Sequence, residues 1–359
     1  MYFFWVWLAV LGAPIRGFAG SEPIYQHPYD LAAGGASLTR STREATFFAN
    51  PALLPLSKQL VKFTYDIAMA TARESVDLAK GVAKGNSVEV GDDQDSLLDR
   101  LAGAPVYLGV QSGLSVYSAL GGVAAVASAD ADLRLQDYGE FGLPELRFRS
   151  KVVSAAAGCL ALPLSSKIAV AVVPKYLRMS ITDIAISVAD ADGIKDQGAE
   201  AFSPDLGGAT GLGGDFGIAG IVRLTALDIL VSGKVDDVGA TQLKGGQDLT
   251  QVPQTMHLGL GLSLHTDADY LHFAIDYRDL GNAWAEPVFK KVRAGVKVGF
   301  LQTLGLAAGI HHGFPPFGIF LDAWILKMSL TFYAFERGNS PGYDRRSIYA
   351  INIASGFNF

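Results

Sequence analysis

The sequence predicts an all-β chain that closes into a transmembrane antiparallel β-barrel of about 14 strands. Three observations point there. Segments of about ten residues alternate apolar with polar or small side chains along most of the chain, the period of a strand with lipid on one face and a lumen on the other. Half of the 359 residues are hydrophobic and only 18% are charged, with 41 glycines against 15 prolines and a mean hydropathy of +0.27. A spanning helix needs about 20 apolar residues without breakers, and the two longest uncharged stretches fail that test. The stretch 101–129 is interrupted by Gly103, Pro105, Gly109, Gly113, Gly121 and Gly122, and 298–321 contains His311, His312, Pro315 and Pro316. Both read as paired strands.

Taken in order, residues 1–19 read as a secretory signal peptide, an apolar run followed by small residues with Ala19 last before cleavage, although no Lys or Arg precedes the run. Residues 20–56 form a separate small-residue segment ahead of the barrel, which occupies 57–359. In the first strand Val61, Phe63, Tyr65, Ile67 and Met69 alternate with Lys62, Thr64, Asp66 and Ala68. Residues 72–102 break the rhythm. Arg73, Glu74, Asp77 and Lys80, then Asp92, Asp93, Asp95, Leu97, Leu98 and Leu101, fit short amphipathic helices around a Gly-rich turn.

Strands are then expected near 105–110, 114–128, 146–157 and 167–177, followed by a long surface loop over 189–214, rich in Asp, Gly and Pro. Two more strands fall near 215–223 and 227–235, with a shorter loop over 241–254. Met256, Leu258, Leu260, Leu262 and Leu264 share one strand face, as do Leu271, Phe273, Ile275 and Tyr277 on the next. Val292 to Val298, Leu304 to Ile310, 317–325 and Met328 to Ala334 continue the pattern, with turns at Asp279–Asn282 and Gly338–Gly342. The final strand places Tyr349, Ile351, Ile353, Phe357 and Phe359 on one face. An aromatic-ended strand of this kind is what the barrel-assembly machinery of Gram-negative outer membranes reads.

Chemistry-bearing groups are sparse. Cys159 is the only cysteine, so neither an internal disulfide nor a cysteine-based metal cluster is available. His311 and His312, read as adjacent strand residues, point to opposite faces and cannot chelate together. His257 and His272 read as inward on neighbouring strands without the carboxylates of a zinc site. Asp92, Asp93 and Asp95 lack the Gly and distal Glu of a calcium loop, and the Gly-rich 207–214 lacks the Lys-Ser/Thr of a phosphate loop. No nucleophile elbow is present. The net charge of −6 is spread along the chain, which leaves no basic stripe for nucleic acid. The expectation is a non-enzyme without metal or cofactor. Arg147, Arg149 and Lys151 alternate with Leu146, Phe148 and Ser150, which predicts a basic ladder facing the lumen. It would either attract anionic headgroups or pair with acidic residues of the neighbouring strand.

Ahead of the first strand, Asp30 to Ser37 includes Gly34 and Gly35, and Glu44 to Leu54 carries Phe47, Phe48, Asn50, Pro51 and Ala52. A Gly-Gly-Ala stretch, then an aromatic, Asn-Pro-Ala and a first strand resembles the entry to the FadL/PorV-like outer-membrane barrels. The insertion after strand one, Asp276–Tyr277, Lys291–Val296 and the Glu336-Arg337-Gly338 turn are similar to features of the PorV-like and TraF-like branches. Thr39 to Arg43 depart from the pattern by placing two arginines there. The resemblance implies that residues 20–56 are a hatch folded back into the lumen, with Gly34, Gly35, Phe47, Phe48, Asn50, Pro51 and Ala52 at its contacts. It implies passage of hydrophobic small molecules across the outer membrane, with outer-membrane lipid as the surroundings. The alternative is a PorV-like interaction barrel that serves a secretion-system protein. The residues agree on physical grounds: small side chains pack through a narrow lumen, Asn50 caps a turn, and Pro51 keeps residue 50 extended.

Overall fold

The computed structural model describes residues 25–40, 45–57, 61–73, 75, 106–136, 145–187, 208–245, 251–265, 270–301, 303–323, 325–342 and 344–358. The signal segment 1–19, most of the 72–102 insertion and residues 189–207 of the long loop lie outside them.

The strands are β1 (Lys62–Ala72), β2 (Val106–Ser118), β3 (Gly121–Gln136), β4 (Glu145–Pro163), β5 (Ile168–Ser187), β6 (Ala209–Arg223), β7 (Leu227–Asp236), β8 (Thr241–Gln242), β9 (Gln251–Val252), β10 (Thr255–His265), β11 (Tyr270–Tyr277), β12 (Val292–Phe300), β13 (Leu304–Ile310), β14 (Phe317–Ala323), β15 (Leu326–Glu336) and β16 (Arg345–Asn358). All but β8 and β9 form one closed antiparallel barrel of 14 strands. Closure runs through β1 and β16, with Lys62 opposite Asn358 and Ala72 opposite Ile348. Closing the sheet removes every unpaired edge, which a wall in lipid requires.

Alternation sorts the side chains as the sequence requires. On β1, Tyr65, Ile67 and Met69 point outward while Thr64, Asp66 and Ala68 are buried inward. Tyr349, Ile351, Ile353 and Phe357 of β16 lie on the outward, lipid-facing side. The barrel's two ends differ. Connections 119–120, 164–167, 224–226, 266–269, 301–303 and 324–325 are short, while those at the other end, among them 73–105, 188–208 and 278–291, are long.

Three boundaries differ from the sequence reading. Residues 209–214 belong to β6 and not to the long loop, pairing in register with 174–179 of β5. Their small side chains leave room for the β8–β9 hairpin, where Gly213 faces Thr241 and Thr210 bridges to Lys244. The same hairpin gives structure to the 241–254 loop. The β2–β3 turn falls at 119–120, with Gly121 at φ 135°, and not between 110 and 114. Gly113 is no turn residue: it is an inward position facing Asp66 and Tyr25.

The hairpin is fastened from below. Lys175 pairs with Asp215 at 2.6 Å and Asp237 at 3.0 Å, and Thr241 donates to Asp237 at 2.5 Å. Burial raises the Asp237 carboxyl above its ordinary value against the pull of Lys175.

Candidate functional site

Residues 25–40 and 45–57 run through the lumen, and nearly all of their side chains are buried. The helix Pro28–Ala32 opens on His27, whose Nδ1 accepts the Tyr29 amide at 3.1 Å, with proline at the first helical position. It ends where Gly34 and Gly35 take φ of 70° and 73°, a conformation that favours glycine. Past residue 45 the chain forms the helix Thr46–Ala49 and two short 3₁₀ turns, Pro51–Leu53 and Pro55–Ser57. Asn50 stands extended before Pro51, and its Oδ1 accepts the Ala52 amide at 3.2 Å.

The wall is shaped to receive this segment. An added Cβ at Gly295 would run into the Ala33 carbonyl, and one at Gly309 into Gly34 and Ala33. At Gly318 it would lie 2.6 Å from Ala32 Cβ, at Gly259 2.8 Å from Leu38 Cβ, and at Gly217 2.6 Å from Asn50 Oδ1. The inward glycines of β6, β10, β12, β13 and β14 are therefore sockets, and close packing of this kind leaves no room for a methyl group.

The two parts of the segment are held differently. The first part is tied by charge. Asp276 on β11 accepts the amides of Ser37 and Leu38 at 2.8 and 3.0 Å and pairs with Arg278 at 3.0 Å. Arg278 also donates to the Ser37 hydroxyl at 3.0 Å. Lys297 on β12 pairs with Asp30, Tyr29 donates to the Leu306 carbonyl at 3.0 Å, and Tyr25 donates to Asp66 at 2.7 Å. Asp30 and Asp276 are 1% and 0% exposed, so each bond is made without competing water and a lost partner leaves a buried charge.

The second part packs by apolar contact. Phe47, Ala52, Leu53, Leu54 and Leu56 form one cluster with inward alanines of the wall: Ala124, Ala157, Ala161, Ala169, Ala171 and Ala219. Polar ties join it to the wall and to the first part, where Asn50 donates to the Leu38 carbonyl at 3.4 Å. Lys234 donates to the Phe48 carbonyl at 2.6 Å, Arg223 to the Leu56 carbonyl at 2.7 Å and Asn50 to the Ile218 carbonyl at 3.3 Å.

Above the helix Pro28–Ala32, at the long-connection end, lies a cavity of about 620 Å³. One wall is apolar and aromatic, from Leu31, Ala70, Tyr107, Tyr333 and Phe335; another carries Arg147, Arg149, Lys151, Asp130 and Asp183. The basic ladder thus faces the lumen, and two of its members are paired across β4–β5. Arg147 grips Asp183 with two bonds of 2.7 Å and Arg149 reaches it at 3.2 Å. Lys151 makes no ion pair among the described residues.

The histidine pair corrects the sequence reading. His311 follows β13 into a turn where His312 takes φ 50°, so the strand rule of opposite faces does not apply and the two rings stack at 4.2 Å between centroids. His257 and His272 are inward as read, but they serve separate bonds, His257 to Asp236 at 3.0 Å and His272 to Ser263 at 2.6 Å. No group of three metal-ligating side chains occurs among the described residues.

Gly34, Gly35, Phe47, Phe48, Asn50, Pro51 and Ala52 all lie in the lumen, divided between the two parts. The sequence reading missed Asp30, Asp276, Arg278 and Lys297 as partners. A signal existed: full charges on the inward face of otherwise apolar strands require partners inside.

Solved structures with the same architecture can now be set beside it. The Pseudomonas putida toluene transporter TodX matches with a TM-score of 0.53 at 12% identity, covering 94% of this chain and 99% of its own. The Ralstonia pickettii toluene transporter TbuX matches with a TM-score of 0.51 at 12% identity, over 93% and 98%. The fold is FadL-like. CymD, a monoaromatic hydrocarbon channel, matches at a TM-score of 0.50 and 10% identity, over 92% and 97%. No family model and no curated protein sequence matches the chain. These likenesses say nothing of the PorV-like or TraF-like branches. A closed barrel of this fold, apolar outside and short-turned at one end, points to a bacterial outer membrane.

Proposed function

We propose that the chain is a FadL-like passage for hydrophobic small molecules across the outer membrane, reached after signal-peptide export and assembly through its last strand. One observation carries this reading: an apolar track follows the inner face of β4 from the cavity into the plugged lumen. Val153 lines the cavity, Ala155 follows beneath Tyr25 and Phe48, and Ala157 and Ala161 continue it beneath Phe47 and the leucines. The cavity receives the molecule at the long-connection end, taken as extracellular because outer-membrane barrels keep their short turns in the periplasm. The segment 25–57 is the hatch.

Beside the lower track the wall itself is weakened. Pairing of β4 with β5 lapses between Ala157↔Lys175 and Leu160↔Val172 and resumes in unchanged register. The residues in that gap are Gly158, Cys159, Val173 and Pro174, and proline has no amide to give. This seam offers a sideways exit into lipid. The likeness to hydrocarbon channels supports the reading.

Uptake of toluene by vesicles holding the purified chain tests it, with Asn50 and Pro51 replaced by alanine in a parallel sample. The expected result is uptake above barrel-free vesicles, altered by the double substitution more than the boiling-sensitive gel shift is. Uptake no better than barrel-free vesicles refutes the reading. Unchanged uptake in a folded double variant removes the hatch role from Asn50 and Pro51.

A further inference from the structure

Resting on the reading above, we infer that the alanine-lined inner face of β3–β6 is an apolar ligand site which the protein fills with its own residues 46–56. An uncharged hydrophobic molecule enters by displacing that part, while residues 28–39 stay seated.

The two halves of the inner segment differ in what their removal would expose. Lifting residues 28–39 would strip the Asp276 carboxylate of two amide donors and separate Asp30 from Lys297. All of those groups lie deep in the lumen: Asp276 would keep Arg278, but the Asp30–Lys297 pair would be split away from water. It would also empty the sockets at Gly259, Gly295, Gly309 and Gly318, leaving voids between backbones.

Lifting residues 46–56 exposes alanines, empties only the Gly217 socket and breaks the neutral bonds of Asn50 to the Leu38 and Ile218 carbonyls, while the charged groups it releases stay solvated or paired. Lys234 retains Asp236 at 2.6 Å, and Arg223 is exposed and free to take water. An apolar molecule entering behind Phe47 would cover Ala157, Ala171 and Ala219 as the leucines do now. The exchange trades one apolar surface for another, with no charge left unpaired. The alanine face itself carries no charged side chain, which favours an uncharged molecule on it. The site also adjoins the β4–β5 seam, because Ala157, Val173 and the partly buried Cys159 belong to its wall.

Amide hydrogen exchange read by mass spectrometry on the unmodified full chain, with and without saturating p-xylene, separates the halves. The expected result is severalfold faster exchange across residues 46–56 with the hydrocarbon present, and no change across 28–39. Faster exchange confined to 28–39, or equal in both, overturns the inference. As a second readout, Leu54→Cys and Leu38→Cys, each in a Cys159→Ser background, place a thiol at fully buried positions of the two halves. Maleimide labelling that p-xylene accelerates at position 54 and not at 38 supports it; the reverse order, or no acceleration at either, overturns it. A parallel uptake assay keeps the two ideas apart. Selective opening of 46–56 without uptake sinks the transport reading and leaves the ligand site, whereas uptake without selective opening does the opposite.

Discussion

Asp276 sits fully buried on β11, and its carboxylate is the meeting point of the Ser37 and Leu38 amides with the Arg278 guanidinium. Removing one member of such a buried set costs about 3–5 kcal/mol because the other charge stays behind. Asp276→Ala is therefore expected to lower unfolding free energy by that amount, read from the urea midpoint of the reconstituted barrel. A loss under about 1 kcal/mol, the worth of an ordinary hydrogen bond, would mean that the inner segment is held some other way. Gly295→Ala tests the socket instead of the charge. Its new methyl meets the Ala33 carbonyl, and overpacking of this kind costs about 1–3 kcal/mol. The same midpoint should fall within that range, and an unchanged midpoint would show that the segment shifts freely.

At the scale of elements, β4 and β5 form the long wall that carries the ladder, the apolar track and the seam. Pro174→Ala restores an amide to the seam while leaving the register unchanged on either side. It is expected to slow toluene uptake severalfold in vesicles while the gel shift is kept; uptake at the parent rate would send the molecule down through the lumen. The elements themselves were largely legible beforehand. Period-two alternation located nearly every strand, since lipid on one side and a filled lumen on the other leave little freedom at any position. Alternation failed where small residues fill both faces. Ala209 to Gly214 read as loop because glycines were needed to admit the β8–β9 hairpin, and the strand expected near 105–110 stopped short of Gly113, which makes room for Asp66 and Tyr25. His311 and His312 failed for a related reason, a positive φ in a turn that strand periodicity cannot foresee. Of the site, the Asn50-Pro51-Ala52 turn was readable from local chemistry. The charged partners of residues 30–38 were not, because Asp276, Arg278 and Lys297 lie more than 200 positions away.

For the whole molecule, closure through β1 and β16 leaves no free edge, so the folded barrel should resist detergent until boiled. An unboiled sample is expected to migrate faster on a gel than a boiled one, and a single soluble band would contradict a membrane barrel. Deleting residues 357–359 is expected to reduce the folded form in outer membranes sharply without altering secretion, measured by the same shift. The glycine sockets carry a consequence for how such a chain comes to be built. Tyr29 meets Leu306 across 277 positions, and Asp30 meets Lys297 across 267. Residues 29–38 therefore have no complete seat until β11 to β13 exist. Seating this segment is thus a late event in folding, since it waits on the strands made last.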